Sequence, residues 1–311
     1  MGMACFTIKG EGDIDIYIHK WIPDQETEIK GAVQIIHGMT EHAGRYKGFA
    51  ERLAKEGYIV YGDDHRGHGK TVGCPEKVGH LSPDGDWDHM IDDVHRLTVK
   101  IKEENPKMPV FLFAHSMGSF IGRNYLSLFG DEIQGAVLCG TGLRNNILLN
   151  VGLVLAKLEM RMKGCHVPSK FLDRLSFGNY NDKMMPRRSL YDWLSRDEDE
   201  VEKYIHDPYC GAVCTSGFFY NLFYGIREIQ KKENIHGIPK QLPIFLIAGD
   251  MDPVGNYGKD IHRLADVYKE AGIRDVTYKL YKDARHELLN EINREEVIRD
   301  VINWYHDKLK Q

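Results

Sequence analysis

Residues 111–120 read FLFAHSMGSF, an apolar run that breaks at a polar turn with a serine at its tip. The run predicts a buried strand, and the residues from Met117 onward have helical periodicity. Strand, sharp turn and helix form the setting in which a serine hydroxyl is held above the C-terminal edge of a parallel sheet, usually in the pattern G-x-S-x-G. Here Ala114 replaces the first glycine while Gly118 keeps the second. Strand and helix approach most closely at that first position, and alanine adds only a methyl there, so the replacement is tolerable. These residues alone leave two readings of Ser116, a nucleophile or an ordinary N-cap of the following helix.

Outward from this stretch, short apolar runs alternate with longer amphipathic segments, which predicts an α/β fold with a mostly parallel sheet covered by helices on both faces. The parallel strands are expected at 32–37, 58–64, 109–115, 135–140, 243–249 and 276–282. ACFTIKG and DIDIYIHKW, near the N-terminus, alternate as an antiparallel edge hairpin. Helices are expected over 44–56, 86–104, 117–129, 258–271 and 294–309. The stretch 145–225 breaks the rhythm, so a core of 1–144 and 226–311 is expected to carry a helical insertion. Inside it Phe218, Phe219, Leu222 and Phe223 share one helical stripe, either as core or as the wall of a pocket.

Composition narrows the function classes. The 311 residues carry 42% hydrophobic side chains, enough for a substantial core, and a net charge of −5. The two signs are interspersed with no basic block, which argues against nucleic acid as a partner. Six scattered cysteines include no C-x-x-C pair, so they read as reduced thiols in a cytoplasm, with neither a zinc site nor a disulfide framework indicated. The N-terminal sequence has no export or lipidation pattern, and the uncharged stretch 145–156 is too short to cross a bilayer.

A serine nucleophile needs a base and an acid that orients it. His115 is adjacent to Ser116 and should point to the opposite face of the strand. His262 and His306 fall within expected helices. His286, in DARHELLNE after the last expected strand, can reach back over the sheet edge. The acid should follow the preceding strand, where FLIAGDMDPVG offers both Asp250 and Asp252. Two backbone N–H groups must face the oxygen that becomes charged. Met117 at the helix N-terminus supplies one, and the loop IIHGMTEHAGRY places Gly38 and Met39 for the other.

Taken together, HGMTEHAGRY, DDHRGHGKT, AHSMG, GDMDPVGNYG and DARHELLNE resemble the monoacylglycerol lipase and lysophospholipase group of α/β hydrolases, a group also labelled serine aminopeptidase-like. The motifs occur in order over nearly the whole chain. The resemblance implies Ser116 as nucleophile, His286 as base, Asp252 as acid, and the Met39 and Met117 N–H groups as the oxyanion hole. It also implies that Asp250 is structural, that Glu41 and Arg45 bridge loops, and that 145–225 is a cap between the sixth and seventh strands. Thr71, where the group usually has serine, and Ala114 are departures that remove no functional group.

The expected chemistry is ester hydrolysis through an acyl-enzyme, without metal or cofactor, on a single-chain acyl ester. Phe218, Phe219, Leu222, Phe223, Leu148 and Leu149 are candidates for the acyl wall, and the cap for transient contact with a lipid surface. Two other readings stay open. A peptidase would need acidic cap residues, such as those in SRDEDEVE, to hold an α-amino group, and a ligand-binding relative would use the fold without catalysis. Oligomeric state is not legible.

Overall fold

The computed structural model describes residues 2–82 and 85–310. Eight strands form one sheet: β1 (Gly2–Lys9), β2 (Asp15–Ile22), β3 (Gly31–Ile36), β4 (Tyr58–Asp64), β5 (Val110–His115), β6 (Gly135–Cys139), β7 (Ile244–Gly249) and β8 (Val276–Tyr281). Their order is β1-β2-β4-β3-β5-β6-β7-β8. The β1–β2 and β2–β4 pairs are antiparallel, and every later pair is parallel.

Five helices cover this sheet or link its strands: α1 (Lys47–Lys55), α2 (Asp86–Glu104) and α3 (Met117–Phe129) early in the chain, α9 (Lys259–Glu270) and α10 (Arg294–Lys308) late. Between β6 and β7 lie α4 (Asn146–Lys163), α5 (Lys170–Phe177), α6 (Glu198–His206), α7 (Ser216–Glu228) and α8 (Lys232–Gly237). The bounds expected for α2 and α3 are those observed. The helix expected from residue 44 starts instead as a tighter 3-10 turn, Ala43–Tyr46, and turns α-helical at Lys47, a common way for a helix to begin. Residue 225, where the insertion was expected to end, falls inside α7.

The alternation on β5 shows how a continuous apolar strand serves two layers. Phe111 and Phe113 pack with residues of α1 and α10, whereas Val110, Leu112 and Ala114 pack with residues of α2 and α3. The chain leaves β3 toward β4 on one side and returns to β5 on the other, which opens a crevice beyond the C-terminal ends of β3 and β5. Both the Gly38 loop and the Ser116 turn emerge there. All six cysteines are free, and no described helix is long and apolar enough to cross a membrane.

Candidate active site

Ser116 adopts φ 54° and ψ −121°, a conformation a side chain rarely accepts. The Ser116 amide donates to Cys139 O at 2.9 Å, and its carbonyl accepts from Ser119 N at 2.8 Å and Ser119 Oγ at 2.6 Å. Its hydroxyl makes no capping bond to α3, so the N-cap reading fails. The hydroxyl instead lies 2.8 Å from His286 Nε2. Gly118 is required by space, because a Cβ there would come within 2.2 Å of Ile36 O and 2.4 Å of His37 O. The departure at Ala114 is met by a second glycine one helical turn on: a Cβ on Gly122 would lie 3.0 Å from the Ala114 methyl.

His286 follows β8 and is almost fully buried. Its Nδ1–H donates to Asp252 Oδ2 at 2.9 Å, which leaves Nε2 to accept from Ser116. Asp252, fully buried, also accepts from Val254 N at 2.8 Å through Oδ1. Asp250 does not join this chain, and its Oδ1 is buried without a hydrogen-bond partner among the described residues. The geometry thus separates two carboxylates that the sequence left side by side. His262 and His306 lie in α9 and α10 as expected. His115 stands with its ring 4.7 Å from that of His286. Burial first, and then the neighbouring His286, lower the His115 imidazole to about 4, so it is neutral at physiological pH.

The loop after β3 is braced from within. Glu41 Oε1 accepts from Gly38 N at 2.6 Å and from the Tyr46 hydroxyl at 2.7 Å. Met39 and Met117 both line the cavity beside Ser116, and neither amide donates to a protein acceptor among the described residues. Arg45 then joins Glu41, at 2.7 Å, to Glu287, which it binds through two bonds of 2.6 and 2.7 Å. Burial alone would raise the Glu287 carboxyl, but the Arg45 guanidinium overrides it and holds it at about 2. Sequence reasoning placed Glu41 and Arg45 as a bridge and missed its far end, Glu287, although that residue adjoins His286.

The cavity above Ser116 measures about 710 Å³. Leu148 and Leu149 of α4 and Leu222 and Phe223 of α7 line it, but the other two candidates do not. Phe218 and Phe219 are buried in packing, Phe218 with its ring 5.6 Å from His68 and Phe219 6.3 Å from Phe177. Helical period identified the inward side of α7, but not how far along its axis the cavity extends. The acids of SRDEDEVE are also elsewhere: none lines the cavity, and Glu198 is exposed while Glu200 pairs with Lys203 at 2.7 Å.

Residues 192–194, in the irregular part of the insertion, were not singled out from sequence, yet together with Ser195, the first residue of SRDEDEVE, they grip the base loop. Trp193 O accepts from His286 N at 3.3 Å and Leu194 O from Glu287 N at 2.7 Å. Arg285 donates to Asp192 O at 2.5 Å and Ser195 O at 2.9 Å, and the Trp193 ring lies 5.0 Å from His286. No periodicity announces such a contact, since it is made by backbone carbonyls. The Thr71 hydroxyl accepts from Tyr17 N at 2.9 Å and donates to Asp64 O at 2.5 Å.

Comparison with known proteins follows the same lines. A monoacylglycerol lipase of Mycolicibacterium smegmatis is 28% identical over 303 residues, 95% of this chain and 94% of that protein. A monoglyceride lipase of Homo sapiens is 27% identical over 269 residues, 85% and 77% of the two chains. Among solved structures, a thermostable carboxyl esterase from Bacillus coagulans in complex with glycerol superposes with a TM-score of 0.90 at 27% identity, over 99% of both chains. The fold is that of the α/β hydrolases. The profile of the family described as serine aminopeptidase, S33, matches residues 27–293, and to that family this chain belongs.

Proposed function

We propose that this chain is a serine carboxylic ester hydrolase acting on single-chain acyl esters of the monoacylglycerol or lysophospholipid kind. The observation that carries the reading is the hydrogen-bonded series Asp252, His286, Ser116, which opens into a cavity walled by leucine and phenylalanine. The similarity to monoacylglycerol lipases and to a carboxyl esterase supports the ester as the bond cleaved.

Ser116 Oγ attacks the acyl carbon while its proton passes to His286 Nε2. The carbonyl oxygen, now charged, accepts from the Met39 and Met117 amides, where the N-terminus of α3 adds favourable potential. His286 returns the proton to the departing alcohol, and an acyl-enzyme remains. Water attacks it, giving a proton to His286, and Ser116 leaves with that proton as the acid is released. Asp252 stays ionised and holds the imidazole in the tautomer that both halves need.

Residues 145–225 act as the cap in this reading. Ile147, Val151, Val154 and Leu158 form an exposed apolar stripe on α4, which supports transient contact of the cap with a lipid surface. None of the acids of SRDEDEVE lines the cavity, so that run does not supply the amino-group site a peptidase needs.

The test is a panel of p-nitrophenyl esters of increasing chain length run beside aminoacyl anilides, on wild type and Ser116→Ala. Ester turnover that rises with chain length and falls at least about 10³-fold in the variant is expected. Turnover of the anilides alone would favour the peptidase, and turnover of neither a binding protein.

A further inference from the structure

Among the described residues, four carboxylates line the cavity above Ser116: Glu41, Asp173, Asp182 and Glu287. Three have a counter-charge, Glu41 and Glu287 on Arg45 and Asp182 on Arg187 at 3.0 Å. The carboxylate of Asp173, on α5, has neither an ion pair nor a hydrogen bond among the described residues, and the residue's amide donates to Ser169 O at 3.0 Å. It is half-buried, and burial pushes its carboxyl above the usual range with no cation near enough to draw it back. The two cations that line the cavity among the described residues, Arg144 and Arg187, are already engaged. Arg187 is the one on Asp182, and Arg144 donates to Leu143 O, Val254 O and the Tyr180 hydroxyl at 2.8–3.0 Å.

The surroundings of Asp173 are aromatic. Phe177, one turn further along α5, shares its face and lines the same wall. Tyr191 also lines the cavity, and its phenol is raised by burial and by the Asp173 charge, so the two groups are within electrostatic reach. The Tyr191 hydroxyl is spent on Gly211 O at 3.0 Å and its ring packs on that of Tyr204 at 5.0 Å, so what it offers a ligand is the part of the ring that lines the cavity. A carboxylate without a counter-ion, beside aromatic faces and inside a substrate cavity, matches the chemistry that binds ammonium groups.

We propose that Asp173 is a specificity-determining residue that receives an ammonium group of the substrate, seated against Phe177 and Tyr191. The inference rests on the ester hydrolase reading and narrows its substrate class to acyl esters with a cationic amine in the alcohol or the acyl part. Asp173 takes no part in the proton transfers. A neutral polyol in the same place would gain hydrogen bonds but leave the carboxylate without a counter-charge.

The decisive measurement is competitive inhibition of p-nitrophenyl butyrate hydrolysis by hexyltrimethylammonium, hexanol and glycerol, in wild type, Asp173→Asn and Asp173→Glu. Fluorophosphonate labelling of Ser116 and thermal melts check that each variant is folded. The cation is expected to bind at least about tenfold more tightly than hexanol in wild type and in Asp173→Glu, and to lose that advantage in Asp173→Asn. Two ester pairs then locate the charge: choline butyrate against its uncharged carbon isostere, and aminohexanoyl against hexanoyl p-nitrophenyl ester. The pair whose kcat/KM ratio collapses in Asp173→Asn carries the ammonium in the matching half of the substrate. An unchanged advantage of the cation in Asp173→Asn, a loss confined to glycerol, or two unresponsive ester pairs overturns the inference. If wild type hydrolyses no neutral ester, the ester hydrolase reading itself fails.

Discussion

Asp250 and Asp252 stand two residues apart in one loop, and only the second meets an imidazole. An amide at position 252 offers an N–H₂ or a weaker acceptor to His286 Nδ1, so the ring loses its working tautomer and the imidazolium its counter-charge. Asp252→Asn is expected to lower kcat on p-nitrophenyl esters by about 10³ or more, and Asp250→Asn by less than about threefold. The reverse ranking would move the acid role to Asp250. A second prediction concerns Glu287, which Arg45 clamps from the loop after β3. Its folded carboxyl sits at about 2, below the ordinary glutamate value of 4.5, so ionised Glu287 favours the folded state. That stabilisation is fully present above about pH 5 and fades as pH falls from about 4.5 toward 2. Glu287→Gln breaks a buried pair and should cost about 3 kcal/mol at neutral pH. Urea melts of wild type and variant at stepped pH should show the gap closing over that acid range, and a gap independent of pH would refute the linkage.

At the scale of elements, α7 divides its apolar face along its length. Phe218 and Phe219, in the first turns, are packed away, while Leu222 and Phe223 reach the cavity. Phe219→Ala should destabilise by about 3–5 kcal/mol and reduce turnover of short and long esters in the same proportion. Phe223→Ala should act on chain length, because each methylene the wall covers is worth about 0.8 kcal/mol. A flattened or shifted chain-length profile in Phe223→Ala, beside an unshifted one in Phe219→Ala, is the expected result. Equal profiles in both variants would place the acyl site elsewhere along α4. Elements were legible wherever burial on both faces imposes an unbroken apolar run, as in β5, or where an amphipathic period persists, as in α2. The stripe on α7 was legible too, but a period of 3.6 reports an angle around the axis and carries no information about depth.

For the molecule as a whole, the candidate relay was readable because its three members sit in turns that end strands, and strand ends are marked in sequence by the switch from apolar to polar residues. The groups that brace the relay were harder to find. Glu287 and Arg45 are 242 residues apart, and the hold of residues 192–195 on the base loop passes through carbonyl oxygens that every residue possesses. That hold also bears on how proteins of this shape can be re-engineered. Exchanging the whole stretch between β6 and β7 for that of another hydrolase would import foreign backbone against His286 and Glu287 along with the desired specificity. A chimaera that replaces α4 and α5 and retains the native chain from Asp192 keeps the base loop's own partners. Crossover points, rather than the number of residues exchanged, would then decide which transplants yield working enzymes.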